Sequence, residues 1–259
     1  MNTQSPIHGR RKNMQLFRRD TSLAVAPYLT WMVLLFALPE GALAYAARTV
    51  AAAIALFVWF FMKRVREEVS FSAVIWGIFV GVVVTVLWIV PEYSEIYRKW
   101  CILGDVPSPL DPQSSPYAPE NCGWFLTILR LFGSAFIIAP AEEIFFRHFL
   151  YRRLQHEDWT AVDSRKFDLP AFLWMVGLFA LEHNRIVAAV MAGAFYGVVY
   201  MRWGLWSAIL AHVLTNFLLA LYVLKTGAWA HSRVHAWRIP GTEKPSGLPS
   251  MGSHRVGHD

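Results

Sequence analysis

The chain has 259 residues, 56% of them hydrophobic and 16% charged, with a formal net charge of +6. A charged fraction this far below the usual ~25% excludes an ordinary soluble domain. The basic residues stand in clusters between apolar runs, as topology signals do, so the expected partner is the lipid bilayer and not nucleic acid. The fold class is therefore read as all-α: a polytopic membrane helix bundle with about seven transmembrane helices.

Residues 1–22 carry Arg10, Arg11, Lys12, Arg18 and Arg19 without an apolar period, and are expected to be a disordered, basic cytoplasmic tail. No convincing small-residue cleavage site follows, so the tail is expected to stay attached. The membrane domain is placed over 23–225. Its first segment runs from Leu23 to Leu38 and stops at Pro39, Glu40 and Gly41. The second runs from Leu43 to Met62, and the third, uncharged, from Val69 to Val90. Pro91 to Gly123 is the longest polar interval and is placed outside the cytoplasm. It holds both cysteines, Cys101 and Cys122. An oxidising compartment would allow them to pair; otherwise they are two separate thiols, and neither has a base nearby in sequence.

The fourth apolar run, Trp124 to Leu154, carries Glu142, Glu143 and Arg147. Each charge in hydrocarbon costs at least ~2.5–3.5 kcal/mol, which makes function the default explanation. On a helix Glu143 and Arg147 are i and i+4 and form an internal ion pair. Glu142 lies roughly 100° around the axis, outside that pair and available for chemistry. Pro140 should kink the helix and release carbonyls to a polar site. Arg152 and Arg153 mark the cytoplasmic interface, where His148 and His156 are read as interfacial.

Segments five (Leu169 to His183), six (Ile186 to Met201) and seven (Leu205 to Leu224) complete seven spans, N-terminus in and C-terminus out. The Lys and Arg count agrees with this orientation: Lys63, Arg64, Arg66, Arg152, Arg153, Arg165, Lys166 and Arg202 fall inside, and Arg98, Lys99 and Arg185 outside. His212 and Asn216, i and i+4, point the same way from segment seven. At 1.5 Å per residue, Glu142 and His212 lie at similar depths of roughly 12 and 10 Å, whereas His183 comes out near 20 Å. Segment five is then tilted, begins above the membrane surface, or ends elsewhere. Glu182 faces away from His183 and is given no role.

Glu142-Glu143-x-x-x-Arg147, Phe179-x-x-x-His183 and His212-x-x-x-Asn216, in that order on successive apolar helices, resemble the CAAX-protease and bacteriocin-processing (CPBP) family of glutamate-type intramembrane proteases. The resemblance covers 124–224, read as the catalytic core. Ala26-Pro27-Tyr28 and Trp88-Ile89-Val90-Pro91-Glu92 resemble the bacterial branch associated with exosortase sorting systems, which implies a bacterial inner membrane. The resemblance implies that Glu142 and His183 activate a water, that His212 and Asn216 hold the oxyanion, and that Glu143 and Arg147 brace the site. The substrate would be a protein or peptide, cut near the cytoplasmic side, with no cofactor.

Two other readings remain open. Glu142, His183 and His212 are ligand types that suit zinc, although no His-Glu-x-x-His motif is present. A proton-coupled carrier would use the same groups as a relay, although the halves of the chain show no internal repeat. Residues 226–259 are expected to be a disordered tail. From His231 onward the tail resembles a translated interspersed repeat, so His254 and His258 are not offered as ligands.

Overall fold

The computed structural model describes residues 6–63, 69–102 and 115–229. Arg64, Arg66 and the tail from 230 onward, including its expected disorder, lie outside the described residues. The elements are helical: α1 (Pro6–Ala37), α2 (Ala42–Lys63), α3 (Phe71–Ile89), α4 (Glu95–Cys101), α5 (Pro119–Gly133), α6 (Ala139–Glu143), α7 (Tyr151–Gln155), α8 (Leu169–Leu181), α9 (Ile186–Trp203) and α10 (Leu205–Thr226). α5, α6 and α7 are stretches of one run, joined by wide π turns at Ser134–Ile138 and Ile144–Leu150.

Among the described residues, six helical runs are long and apolar enough to cross a bilayer, and α8, of 13 residues, is a shorter apolar helix. With its lipid-type surface, exposing Phe36, Phe57, Phe61, Phe79 and Val86 on α1–α3, the chain is an integral membrane protein. Helical hydrogen bonding satisfies each segment's backbone internally, which lets it sit in hydrocarbon. Caps define the ends. Ser70 Oγ accepts from Ala73 N–H at 3.2 Å, and Asp168 Oδ1 from Ala171 N–H at 3.0 Å. Gly204, with φ of 88°, turns α9 into α10, and Gly227 closes α10 in the left-handed region that glycine tolerates.

Two expectations need correction. The first helix begins at Pro6, not near Leu23, so the described part of the basic N-terminal stretch is helical and continuous with the first span; lysine and arginine are good helix formers, and a neighbouring apolar helix propagates into them. Segment five stops at Leu181, leaving Glu182 to Arg185 as a turn.

One end of the bundle gathers the basic residues. Lys63 pairs with Asp20 at 2.6 Å, Trp159 Nε1–H donates to Thr21 Oγ1 at 3.0 Å, and the Arg152 guanidinium donates to the Val162 and Thr160 carbonyls. Here the Thr160 hydroxyl and N–H hold the exposed Asp158 carboxyl below its usual range. The opposite end carries the Leu38–Gly41 turn, the Tyr93–Tyr222 hydroxyl contact and Tyr117. Between them α3 and α10 lie in close contact. A Cβ on Gly77 would sit 3.0 Å from the Ser207 carbonyl oxygen, and one on Gly81 2.8 Å from that of Ala211, so only glycine permits this approach. Ser207 Oγ donates to the Ala73 carbonyl across the same seam at 2.6 Å.

Candidate active site

The run from Pro119 to Gln155 has 37 residues and breaks at Gly123, whose φ is 79°; from Trp124 onward it is roughly 48 Å at 1.5 Å per residue, longer than the ~30 Å hydrocarbon core. Its middle is irregular. Pro140 lacks an N–H, and the π turn before it widens the backbone so that the helix continues without a sharp break. The Ser134 carbonyl in that turn accepts a hydrogen bond from Asn216 Nδ2 at 3.0 Å. The irregular backbone therefore serves a polar side chain of another helix, although the Ser134 carbonyl also accepts from Ala139 N–H and is not one released by Pro140. The second π turn begins directly after Glu143 and carries Arg147.

Glu142, Glu143 and Arg147 are all buried, and the Glu143 and Arg147 side chains have no exposure. Arg147 Nη1 lies 3.1 Å from Glu143 Oε1, the expected i,i+4 pair, and Nη2–H donates to the Gly193 carbonyl at 3.3 Å. A second partner on Glu143 was not expected. His212 Nδ1 donates to the same Oε1 at 2.8 Å, while His212 Nε2 lies 3.7 Å from Glu142 Oε2. With its Nδ1 proton directed at Glu143, the ring presents Nε2 toward Glu142 and donates from there only as the imidazolium. Tyr196 lies flat on the other side of this ring, centroids 4.6 Å apart at 22°, and its hydroxyl donates to Thr215 Oγ1 at 2.8 Å.

His183 reaches the site from the turn after α8, not from a helix face. Its Nδ1–H donates to the Phe179 carbonyl at 2.9 Å, which leaves Nε2 as the acceptor of the neutral ring. The bond ties the ring to the last turn of α8. Trp88 meets the ring edge-on at 5.5 Å. The Phe179 ring lies 4.8 Å from His183 and 5.9 Å from His212, with the Arg147 guanidinium 4.3 Å from its centroid. The buried cation therefore supports both histidines, one through Glu143 and the other through Phe179.

Glu142, His183, His212 and Asn216 line one cavity; Glu143 and Arg147 stand behind its wall. The cavity volume is about 90 Å³, room for water beside the polar groups but below the ~300–1,000 Å³ of ordinary ligand sites. Three separate parts of the chain, α6, the α8–α9 turn and α10, supply these four residues. Among the described residues no three His, Cys, Asp or Glu side chains are grouped to hold a metal ion.

Several residues beside the site escaped the sequence reading. Arg185, counted as an outside topology signal, is fully buried and paired with Glu92, which is also fully buried. Its Nη2–H donates to Glu92 Oε2 at 3.1 Å and Nη1–H to Asn184 Oδ1 at 3.0 Å. This pair ties the turn that carries His183 to the end of α3. Asn184-Arg185 following Glu182-His183 is a dense polar run between apolar helices, a signal that was present but was read as an interface. Tyr28, in the Ala26-Pro27-Tyr28 stretch, stacks on Phe145 at 4.3 Å. His148 is half-buried between Trp59 and Trp159, whereas His156 is exposed. Cys101 and Cys122 are separate thiols; Cys122 Sγ lies 3.5 Å from the Ala118 carbonyl.

Residues 124–218 match the family model described as Rce1-like, type II CAAX prenyl endopeptidase. The matched stretch contains every residue of the candidate site and supports the CPBP resemblance. No curated protein and no solved structure matches the chain.

Proposed function

We propose that this membrane protein is an intramembrane endopeptidase of the glutamate type. The observation that carries the reading is the convergence of Glu142, His183, His212 and Asn216 on one buried cavity, within the stretch that matches the type II CAAX prenyl endopeptidases. Glu142 acts as general base, with His183 Nε2 as the second acceptor that orients the water. The water oxygen adds to the peptide carbonyl carbon while its proton passes to Glu142. The oxyanion forms against Asn216 Nδ2–H and the Nε2–H of His212 in its imidazolium form, whose Nδ1–H stays on Glu143. Collapse breaks the C–N bond, and Glu142 returns the proton to the leaving amine. A carboxylate in a poorly solvated site is a stronger base than in water, and one fixed oxyanion donor there commonly contributes ~3–4 kcal/mol.

Asn216 shares its amide with the Ser134 carbonyl, which fixes its direction while leaving one N–H for substrate. Glu143 orients His212, and Arg147 neutralises Glu143. The zinc reading finds no support in the grouping of the side chains. In the proposed orientation the N-terminus and the basic end face the cytoplasm, the membrane is a bacterial inner membrane, and cleavage occurs toward the cytoplasmic side. A place beside an exosortase-type sorting system rests on the Ala26–Tyr28 and Trp88–Glu92 likeness alone.

The test is purified protein in detergent with a quenched peptide library, comparing wild type, Glu142→Ala and Glu143→Ala with and without a strong zinc chelator. Loss of cleavage in Glu142→Ala at unchanged thermal stability, with no effect of chelator, is the expected result. Cleavage that survives Glu142→Ala, or that is lost on chelation, overturns the mechanism.

A further inference from the structure

The cavity runs one way from the catalytic groups. On α10 its wall is a stripe of His212, Thr215, Asn216, Leu219, Ala220 and Val223, the spacing of one helix face. The stripe extends roughly 16 Å at 1.5 Å per residue, from His212, about two turns inside the basic end, to Val223 in the last turn of α10. Trp31, Tyr45 and Trp88, each near the opposite end of its own helix, continue the lining there. Toward the basic end the space is filled: Ile144, Phe146, Arg147 and Tyr151, on the same run as Glu142, are buried together with Tyr28 and Trp159. Toward lipid, the Phe132, Phe136 and Phe217 rings close the seam between the first π turn and α10, with centroids 5.5 to 6.4 Å apart. A volume of about 90 Å³ holds a few waters and excludes a peptide, so cleavage requires part of the wall to move.

The cover of the outer end is the part that can. After Val223 the helix stops at Thr226, and Gly227, with φ of 71°, turns the chain back in the left-handed region. Ala228 and Trp229 are thereby buried, and Trp229 packs in one apolar cluster with Val223 and Ala118. Tyr117 lies against the same cluster and reaches the cavity lining itself, its ring 5.9 Å from that of Tyr45 and 4.0 Å from the Arg130 guanidinium. A layer of Tyr117, Ala118 and Trp229 therefore stands over the outer end of the cavity. The Ala228 N–H donates to Thr226 Oγ1 at 3.3 Å and the Trp229 N–H to the Gly227 carbonyl at 2.8 Å, so these bonds stay within the strap when it swings. The cluster is small and separate from the main core, and opening it costs less than opening a route through the filled half.

We infer that water and substrate reach Glu142 from the end of the bundle away from the basic residues, through an entrance that Trp229 covers. The inference rests on the protease reading and names its substrate class. In the proposed orientation this end faces away from the cytoplasm, so the substrate is an extended segment of a chain already exposed on that side, threaded inward to the bond at Glu142. A cytoplasmic tail would meet the filled half.

The test is cysteine accessibility in sealed membrane vesicles of each orientation, with full-length protein in which Cys101→Ser and Cys122→Ser remove the native thiols. Ala220→Cys reports the cavity, Glu120→Cys the exposed surface at the covered end, and Arg153→Cys that at the basic end. A charged, membrane-impermeant methanethiosulfonate is expected to label Ala220→Cys in the vesicles that expose Glu120→Cys and to spare it in those that expose Arg153→Cys. Trp229→Ala should speed this labelling by about tenfold or more, the scale of one buried large apolar side chain, and should raise peptide cleavage when the native cysteines are kept. Trp229→Phe should do both to a smaller extent, and size-exclusion profiles confirm that each variant is folded. Labelling from the Arg153 side, or a rate that Trp229→Ala leaves unchanged, overturns the inference. Labelling that speeds in Phe136→Ala but not in Trp229→Ala makes the route lateral and overturns it as well. Trp229-dependent labelling without cleavage of any peptide leaves the entrance standing and overturns the protease reading.

Discussion

Glu143 is the residue on which the site's internal balance depends, and its removal separates bracing from chemistry. In Glu143→Leu the Arg147 guanidinium keeps the Gly193 carbonyl at 3.3 Å and its contacts with the Phe146, Phe179 and Tyr196 faces but no carboxylate pair, at a position with no solvent exposure. Breaking a buried pair by removing one partner costs about 3–5 kcal/mol. For a chain of this size that corresponds to a fall in Tm of roughly 6–20 °C, at ~2–4 °C per kcal/mol. The double variant Glu143→Leu/Arg147→Met removes both charges and is expected to recover most of the stability, because an uncharged pair of similar volume needs no partner. Activity should not return with it. His212 Nδ1 has lost its 2.8 Å acceptor, so the ring is no longer held with Nε2 toward Glu142. The assay is thermal unfolding of the purified single and double variants in detergent, with peptide cleavage measured on the same samples. A Glu143→Leu protein as stable as wild type, or a double variant that regains full cleavage, would refute this account.

Other variants test the remaining parts. Tyr196→Phe keeps the face on His212 and loses only the Thr215 hydrogen bond, worth about 1 kcal/mol; Tyr196→Leu also removes the stack, and cleavage should fall further in the second than in the first. Gly81→Leu places a Cβ 2.8 Å from the Ala211 carbonyl oxygen, so α3 and α10 must separate and Tm should drop by several degrees, with Gly177→Ala, which meets nothing within 4 Å, as the silent control. Glu92→Gln leaves Arg185 with a neutral partner; loosening the His183 turn should lower cleavage, and hydrogen exchange should rise at residues 182–186. At the basic end, Asp158 is held below its usual carboxylate range by Thr160. A depressed folded value means that its contribution is present above the unfolded pKa and lost as pH falls through the folded one. A carbon-13 titration of the Asp158 carboxyl should therefore show a midpoint below that in Thr160→Val.

Length, apolar runs and Arg clusters were enough to determine an all-helical membrane bundle, because hydrocarbon leaves the backbone few other ways to satisfy its hydrogen bonds. The i,i+4 relation of Glu143 and Arg147 was equally legible, since it depends on one helix only. Tertiary structure decided what that helix meets. That His212 donates to Glu143, that the His183 ring folds back from a turn to the Phe179 carbonyl, and that Arg185 is a buried partner of Glu92 all involve residues far apart in sequence or a break in helical periodicity. The count of 1.5 Å per residue assumed a helix through His183, whereas α8 ends at Leu181 and a turn carries the histidine. Arg185 was misread for a related reason: a charge between two apolar runs marks an interface only when the turn reaches water. Here the turn is packed inside the bundle, so the charge is buried and paired with Glu92.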